Sequence, residues 1–205
     1  MGSFRSLAVL PIAVALIAAL AGCSAEKAEP TPATAEPTAA PTATATQEPV
    51  SLTFAMPTNC AAILPQSRVD RFTSEGIELL GGPGGKYGND YLVDATPEQQ
   101  AGGITCIWGY TDTEVSSFTI SVAPLSAATR PAVVASFTEQ GLNEEVTGDA
   151  VAYGVQGDRS LNPAIMNVLR GESWISVIAT IGGRDSYEQS VEIAQEVHDL
   201  VYTAQ

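Results

Sequence analysis

Ile104-Thr105-Cys106-Ile107-Trp108-Gly109-Tyr110 and, beyond the break at Thr111-Asp112-Thr113, Ser116-Ser117-Phe118-Thr119-Ile120-Ser121-Val122-Ala123 decide how this chain folds. Side chains of a strand alternate between two faces, so the first run sets Ile104, Cys106, Trp108 and Tyr110 on one side. The second sets Phe118, Ile120 and Val122 on one side. Two such runs joined by a short polar break read as an antiparallel hairpin. Ala164 to Leu169 and Trp174 to Ile181, joined by Arg170-Gly171-Glu172-Ser173, form another. The second arm is rich in Ile and Val, which predicts a central strand covered on both faces. Val151 to Val155 adds a further strand, and Ser51 to Met56 a short one.

Helices fall between these runs. Asn59 is placed to cap a short helix over Cys60-Ala61-Ala62-Ile63-Leu64, Pro65 interrupts it, and a second helical segment carries Val69 and Phe72. Pro97 to Gln100 reads as one turn capped by Thr96. Thr129-Arg130-Pro131 starts a helix with the stripe Val133, Val134 and Phe137, ended by Gly141. Ser186 and Gln189 are spaced as a capping box for a last helix running to about Tyr202. Tyr187, Val191, Ala194, Val197 and Val201 give it one apolar face; Glu188, Glu192 and Glu196 line another. His198 lies beside the stripe and reads as a structural residue. The sum over 51–205 is an α+β domain: an antiparallel sheet of about five strands with helices packed on it.

The first 22 residues read differently. Arg5 precedes an apolar run from Leu7 to Ala21, the pattern of a secretory signal peptide. The run ends Leu20-Ala21-Gly22-Cys23, which resembles the lipobox of bacterial lipoproteins. The resemblance implies a diacylglyceryl thioether on Cys23 and cleavage before it, leaving Cys23 as an acylated first residue. The competing reading, an uncleaved span, is disfavoured by the short run and by Pro11 within it. The expected location is the cell membrane, with the chain lipid-anchored on its extracytoplasmic face. Residues 23–50 follow as an Ala/Thr/Pro-rich disordered linker with Pro30, Pro32, Pro37, Pro41 and Pro49. Extended in polyproline fashion at about 3.1 Å per residue, it reaches on the order of 80 Å.

Of three cysteines, Cys23 is assigned to lipid. Cys60 and Cys106 remain, and in an exported domain they read as one disulfide. Two buried thiols, or a metal site using the single His198, are the alternatives. Trp108, two residues from Cys106, is expected on or near that bridge, with ligand stacking as its other role. The net charge of −14 argues against nucleic acid, whose binders carry a basic face.

The lipobox, the Pro/Thr tail, Asn59-Cys60-Ala61-Ala62-Ile63-Leu64 and Cys106-Ile107-Trp108 together resemble small actinobacterial lipoproteins of unknown function. Those carry a Cys-x-x-(Leu/Ile)-Leu start and a later Cys-x-Trp. The resemblance implies a compact α+β domain similar to the Mog1/PsbP-like fold, and no established activity.

No serine sits in a Gly-x-Ser-x-Gly turn, and a Ser-His-Asp set would have to use His198. Glu144 and Glu145 are adjacent carboxylates in a stretch that reads as loop. Nothing here calls for an enzyme, a cofactor or a metal. Gly81-Gly82-Pro83-Gly84-Gly85 lacks the Gly-Lys-Ser/Thr ending of a phosphate loop and reads as a mobile surface loop. If it carries function, Lys86, Tyr87, Asn89, Asp90 and Tyr91 are its contact patch, with Trp108 as a further binding candidate. The expected function is a membrane-tethered, non-catalytic binding module for an envelope ligand or protein. The alternative is an accessory or structural subunit of a cell-envelope membrane complex.

Overall fold

The computed structural model describes residues 51–113 and 115–204. The expected signal peptide (1–22), Cys23 and the whole of the expected linker (23–50) lie outside the described residues. The strands are β1 (Leu52–Phe54), β2 (Ile77–Gly81), β3 (Ile104–Tyr110), β4 (Val115–Pro124), β5 (Asn143–Thr147), β6 (Ala150–Val155), β7 (Ala164–Arg170), β8 (Ser173–Ala179) and β9 (Tyr202–Ala204). The helices are α1 (Gln66–Ser74), α2 (Pro97–Gln100), α3 (Arg130–Glu139) and α4 (Arg184–Val201). This is an α+β fold with antiparallel sheets, but with more strands than the expected five. One sheet has seven strands in the order β2-β3-β4-β8-β7-β6-β5, and β1 pairs with β9 in a separate two-stranded ribbon.

The additional strands have physical reasons. β2 runs into glycines, so it reads as a loop, yet it pairs with β3 through an irregularity between Leu79 and Gly81. Glu144 and Glu145 are in β5 rather than a loop; polar residues suit a strand at a sheet edge, where they discourage further pairing. β9 leaves α4 directly, as Tyr202 turns to extended backbone. β8 is the middle strand of the seven, buried at Trp174, Ile175, Ser176 and Val177 alike.

One face of the sheet packs on α1 and α4. Its core joins Phe72, Trp108, Phe118, Ile120, Val177 and Val197 around the Cys60–Cys106 disulfide. Phe72 stacks on Phe118 at 5.2 Å and meets Trp108 at 5.5 Å between ring centroids. Each large side chain removed from water this way contributes about 1.5–3 kcal/mol. Arg68, itself buried, ties the helices together: Nε donates to Glu196 at 2.7 Å and Nη2 to Glu192 at 3.2 Å. The opposite face carries a second cluster under α3, built on Phe137, Tyr153, Leu169 and Trp174.

Two caps differ from expectation. α4 begins at Arg184 with Gly183 as N-cap, so Ser186 sits inside the first turn, where its carbonyl accepts from Ser190. Its buried face is Ser190, Ile193, Ala194, Val197 and Val201, while Val191 is exposed at the rim. Thr129 does not cap α3. Ser126 does so one turn earlier, its Oγ accepting from Thr129 N at 3.1 Å while Thr129 Oγ1 accepts from Ser126 N at 3.2 Å. Thr96 and Gln99 form the expected box on α2.

Candidate functional site

The period of two places Ala150 and Ala152 of β6, and Met166, Val168 and Arg170 of β7, on the α4 side of the sheet. α4 packs over β7 and β8, so the floor nearer β6 is only partly roofed. The result is a groove of about 340 Å³, walled by Tyr187, Val191, Ala194, Gln195 and His198 of α4. That volume lies within the range of ligand pockets, and the floor is apolar.

The two ends are polar and opposite in character. At one end Arg170 Nε donates to Asp149 Oδ2 at 2.8 Å, and Arg170 Nη1 donates to His198 Nε2. A guanidinium has no acceptor, so Nε2 must supply the lone pair and the ring hydrogen sits on Nδ1. Nδ1 faces Asp199 Oδ1 at 3.0 Å, which completes the assignment. The His198 ring stacks on Tyr202 at 4.6 Å, and the Tyr202 hydroxyl donates to the Arg170 carbonyl at 2.8 Å. Arg170 Nη2 makes no hydrogen bond among the described residues. At the other end stand Glu145 and Tyr187. Burial, and then the Glu145 charge, push the Tyr187 phenol up, so it stays a hydrogen-bond donor. Gly154 lets Tyr187 lie close to β6, since a Cβ there would stand 2.6 Å from the phenol oxygen. The groove holds a fixed cation, a fixed donor and an apolar floor, and no serine, threonine or cysteine lines it. It is suited to holding an amphiphilic molecule.

The residues singled out from sequence lie elsewhere. Lys86, Tyr87, Asn89, Asp90 and Tyr91 come together at the β2 edge, around the short 3-10 turn Gly88–Tyr91. The Tyr87 and Tyr91 rings stack at 6.0 Å, and Lys86 Nζ lies 5.1 Å from the centre of the Tyr87 ring. The glycine loop before them is fastened rather than loose. Cys60 N donates to Pro83 O at 3.0 Å, and Gly82, at φ +96°, sits where a Cβ would stand 2.2 Å from Thr105 O. Trp108 does not join this patch: it is 3% exposed beneath α1, against Phe72, so it has no surface on which to stack a ligand. Its Nε1 has no hydrogen-bond partner among the described residues.

Arg170 and His198, which define the groove's polar end, are 28 residues apart and were not paired by any sequence pattern. Their signal is faint: an arginine closing a strand, and a histidine one turn from the end of an amphipathic helix. Among the described residues, no helix is long and apolar enough to cross a membrane. Comparison with family models, curated proteins and solved structures gives no match to this chain.

Proposed function

We propose that this domain is a non-catalytic binding module, held on the extracytoplasmic face of the cell membrane through a lipidated Cys23. Its ligand is an envelope amphiphile with an anionic head, seated between α4 and the outer strands. One observation carries this reading. A single groove joins an apolar floor of Ala150, Ala152, Met166 and Val168 to a guanidinium with one unbonded nitrogen. Asp149, His198 and the Tyr202 ring hold Arg170 in place, so little freedom is lost when a head group binds.

Native mass spectrometry tests it. The purified chain is incubated with an envelope lipid extract and gently repurified, alongside Arg170→Gln and Val191→Glu. Val191 is 42% exposed at the rim, so its replacement leaves the core intact. A discrete added mass on the wild type, reduced on both variants, is the expected result. An unmodified wild type, or equal loading of all three, counts against the amphiphile and favours a protein partner.

A further inference from the structure

The outer strands present ordered rows to the α4 side. Asn143 of β5 stands opposite Gly154 of β6, and Glu145 opposite Ala152. Ala152 in turn stands opposite Val168 of β7, and Ala150 opposite Arg170. Residues directly opposite in an antiparallel pair share a face, so the groove floor runs from Arg170 at one end to Gly154 at the other. An anionic head at Arg170 uses only one of these ends.

At the far end Tyr187 reaches from α4 to β6, its phenol oxygen lying over Gly154. Glu145, exposed on β5, lines the same end. Its charge is near enough to act on the phenol, which burial and then that charge push up. Yet the two groups are not bonded to each other. Neither the Tyr187 hydroxyl nor the Glu145 carboxylate makes a hydrogen bond among the described residues. A donor and an acceptor thus face one end of the groove. Beyond them the surface opens into a wider cleft of about 600 Å³, lined also by Asn143 and Gln156. A bare hydrocarbon end arriving there leaves the apolar floor for polar surroundings and gains little.

The group that completes this pair must accept from the phenol and donate to the carboxylate. An ammonium has no lone pair for the phenol, and a carboxylate has no proton for Glu145. A hydroxyl has both. Its distance from the head follows from the backbone. Arg170 faces Ala150, and Gly154 is four residues further along β6, about 13 Å at the rise of a strand. On α4, His198 follows Tyr187 by eleven residues, about 16 Å.

We infer that the groove takes a single-chain amphiphile with a second polar group, a hydroxyl on the order of 15 Å from the anionic head, which accepts from Tyr187 and donates to Glu145. The chain between them lies on Ala150, Ala152 and Val168. This rests on the groove being an amphiphile site, and adds what the far end of that ligand carries.

Calorimetric titration of the purified chain with dodecanoate and with 12-hydroxydodecanoate, each below its micelle concentration, tests it. A hydroxyl that meets no partner weakens binding, because it loses its bonds to water. The expected result is the reverse: the hydroxy acid binds at least about fivefold more tightly, since one of its two new bonds is to a charged group. Tyr187→Phe keeps the ring that walls the groove and removes only the hydroxyl. It should lose the preference while still binding dodecanoate, which shows that the groove is intact. Glu145→Ala, at an exposed position of an edge strand, should lose the preference as well. If neither acid binds wild type, the amphiphile reading of the groove falls, and the hydroxyl site with it. If dodecanoate binds as tightly as 12-hydroxydodecanoate, or the preference survives in Tyr187→Phe, the hydroxyl site alone is overturned and the groove remains an amphiphile site.

Discussion

The two faces of the seven-stranded sheet are made from the same strands, yet they bury different chemistry. On the α4 side the central positions of β4 and β8 are large and apolar: Phe118, Ile120 and Val122, then Ile175 and Val177. On the other side the intervening positions are Thr119, Ser121 and Ser176, and aromatic packing is confined to the region under α3. The first face is filled over β3, β4 and β8, where it holds the disulfide, and opens into its groove only towards β6. The second leaves a gap at its centre, over a floor made by the polar row of Ser121, Ser176 and Asn167. Stability is therefore expected to reside on the first face, while the second tolerates change at its centre and is sensitive only where a buried polar group has one partner.

The largest effect expected from breaking this contrast is Phe72→Ala. Phe72 is fully buried between Trp108 and Phe118, so its truncation should cost about 3–5 kcal/mol in denaturant unfolding. A loss near 1 kcal/mol would show that the α1 side is not the main core. A finer contrast comes from two substitutions on the polar row. Asn167→Leu strands the Trp174 indole N–H in the interior and should cost about 1–3 kcal/mol. Ser176→Val, by contrast, adds apolar volume beside an open cleft and should leave stability within about 0.5 kcal/mol of wild type. Equal losses from the two would remove the distinction between bonded and unbonded members of the row.

The smallest effect lies outside both faces, in the loop between β6 and β7. The Leu161 amide, then the Asn162 side chain and the Ser160 amide, hold the Asp158 carboxyl well below the usual carboxylate range. A depressed pKa in the folded state favours folding at pH values above the ordinary aspartate range. That contribution is lost as pH falls through the lowered value. The loop should keep its hydrogen-exchange protection at pH 4 and lose it only in stronger acid; Asp158→Asn should flatten this dependence.

The sequence shows the central strands clearly, because β3 and β4 alternate and β8 is a run rich in Ile and Val. It obscures the elements whose pairing is decided by distant chain. β2 dissolves into glycine, β5 is polar because it is an edge, and β9 is three residues long and continuous with a helix. The groove was hidden for a related reason: its cation and its histidine come from separate elements, and both look like ordinary ends of a strand and a helix. The polar cleft did leave a trace. A small hydroxyl residue within a strand expected to be covered on both faces is out of place in a packed core, and Ser176 occupies such a position. Trp108, expected on or near the bridge, is in the same core cluster as Cys60 and Cys106, and its burial removes the other role, ligand stacking.

The ribbon of β1 and β9 also has a mechanical meaning. Leu52 stands opposite Ala204 and Phe54 opposite Tyr202, so whatever precedes the domain and whatever follows it leave from one spot. A pull on the chain ahead of Leu52 is met first by three residue pairs, the Phe54–Tyr202 ring contact at 5.7 Å and the bond from Ala55 N to Val201 O. A two-stranded pair of this length is marginal by itself. Under tension it peels before the seven-stranded sheet is loaded, giving the domain a few residues of slack while both faces of the sheet stay assembled.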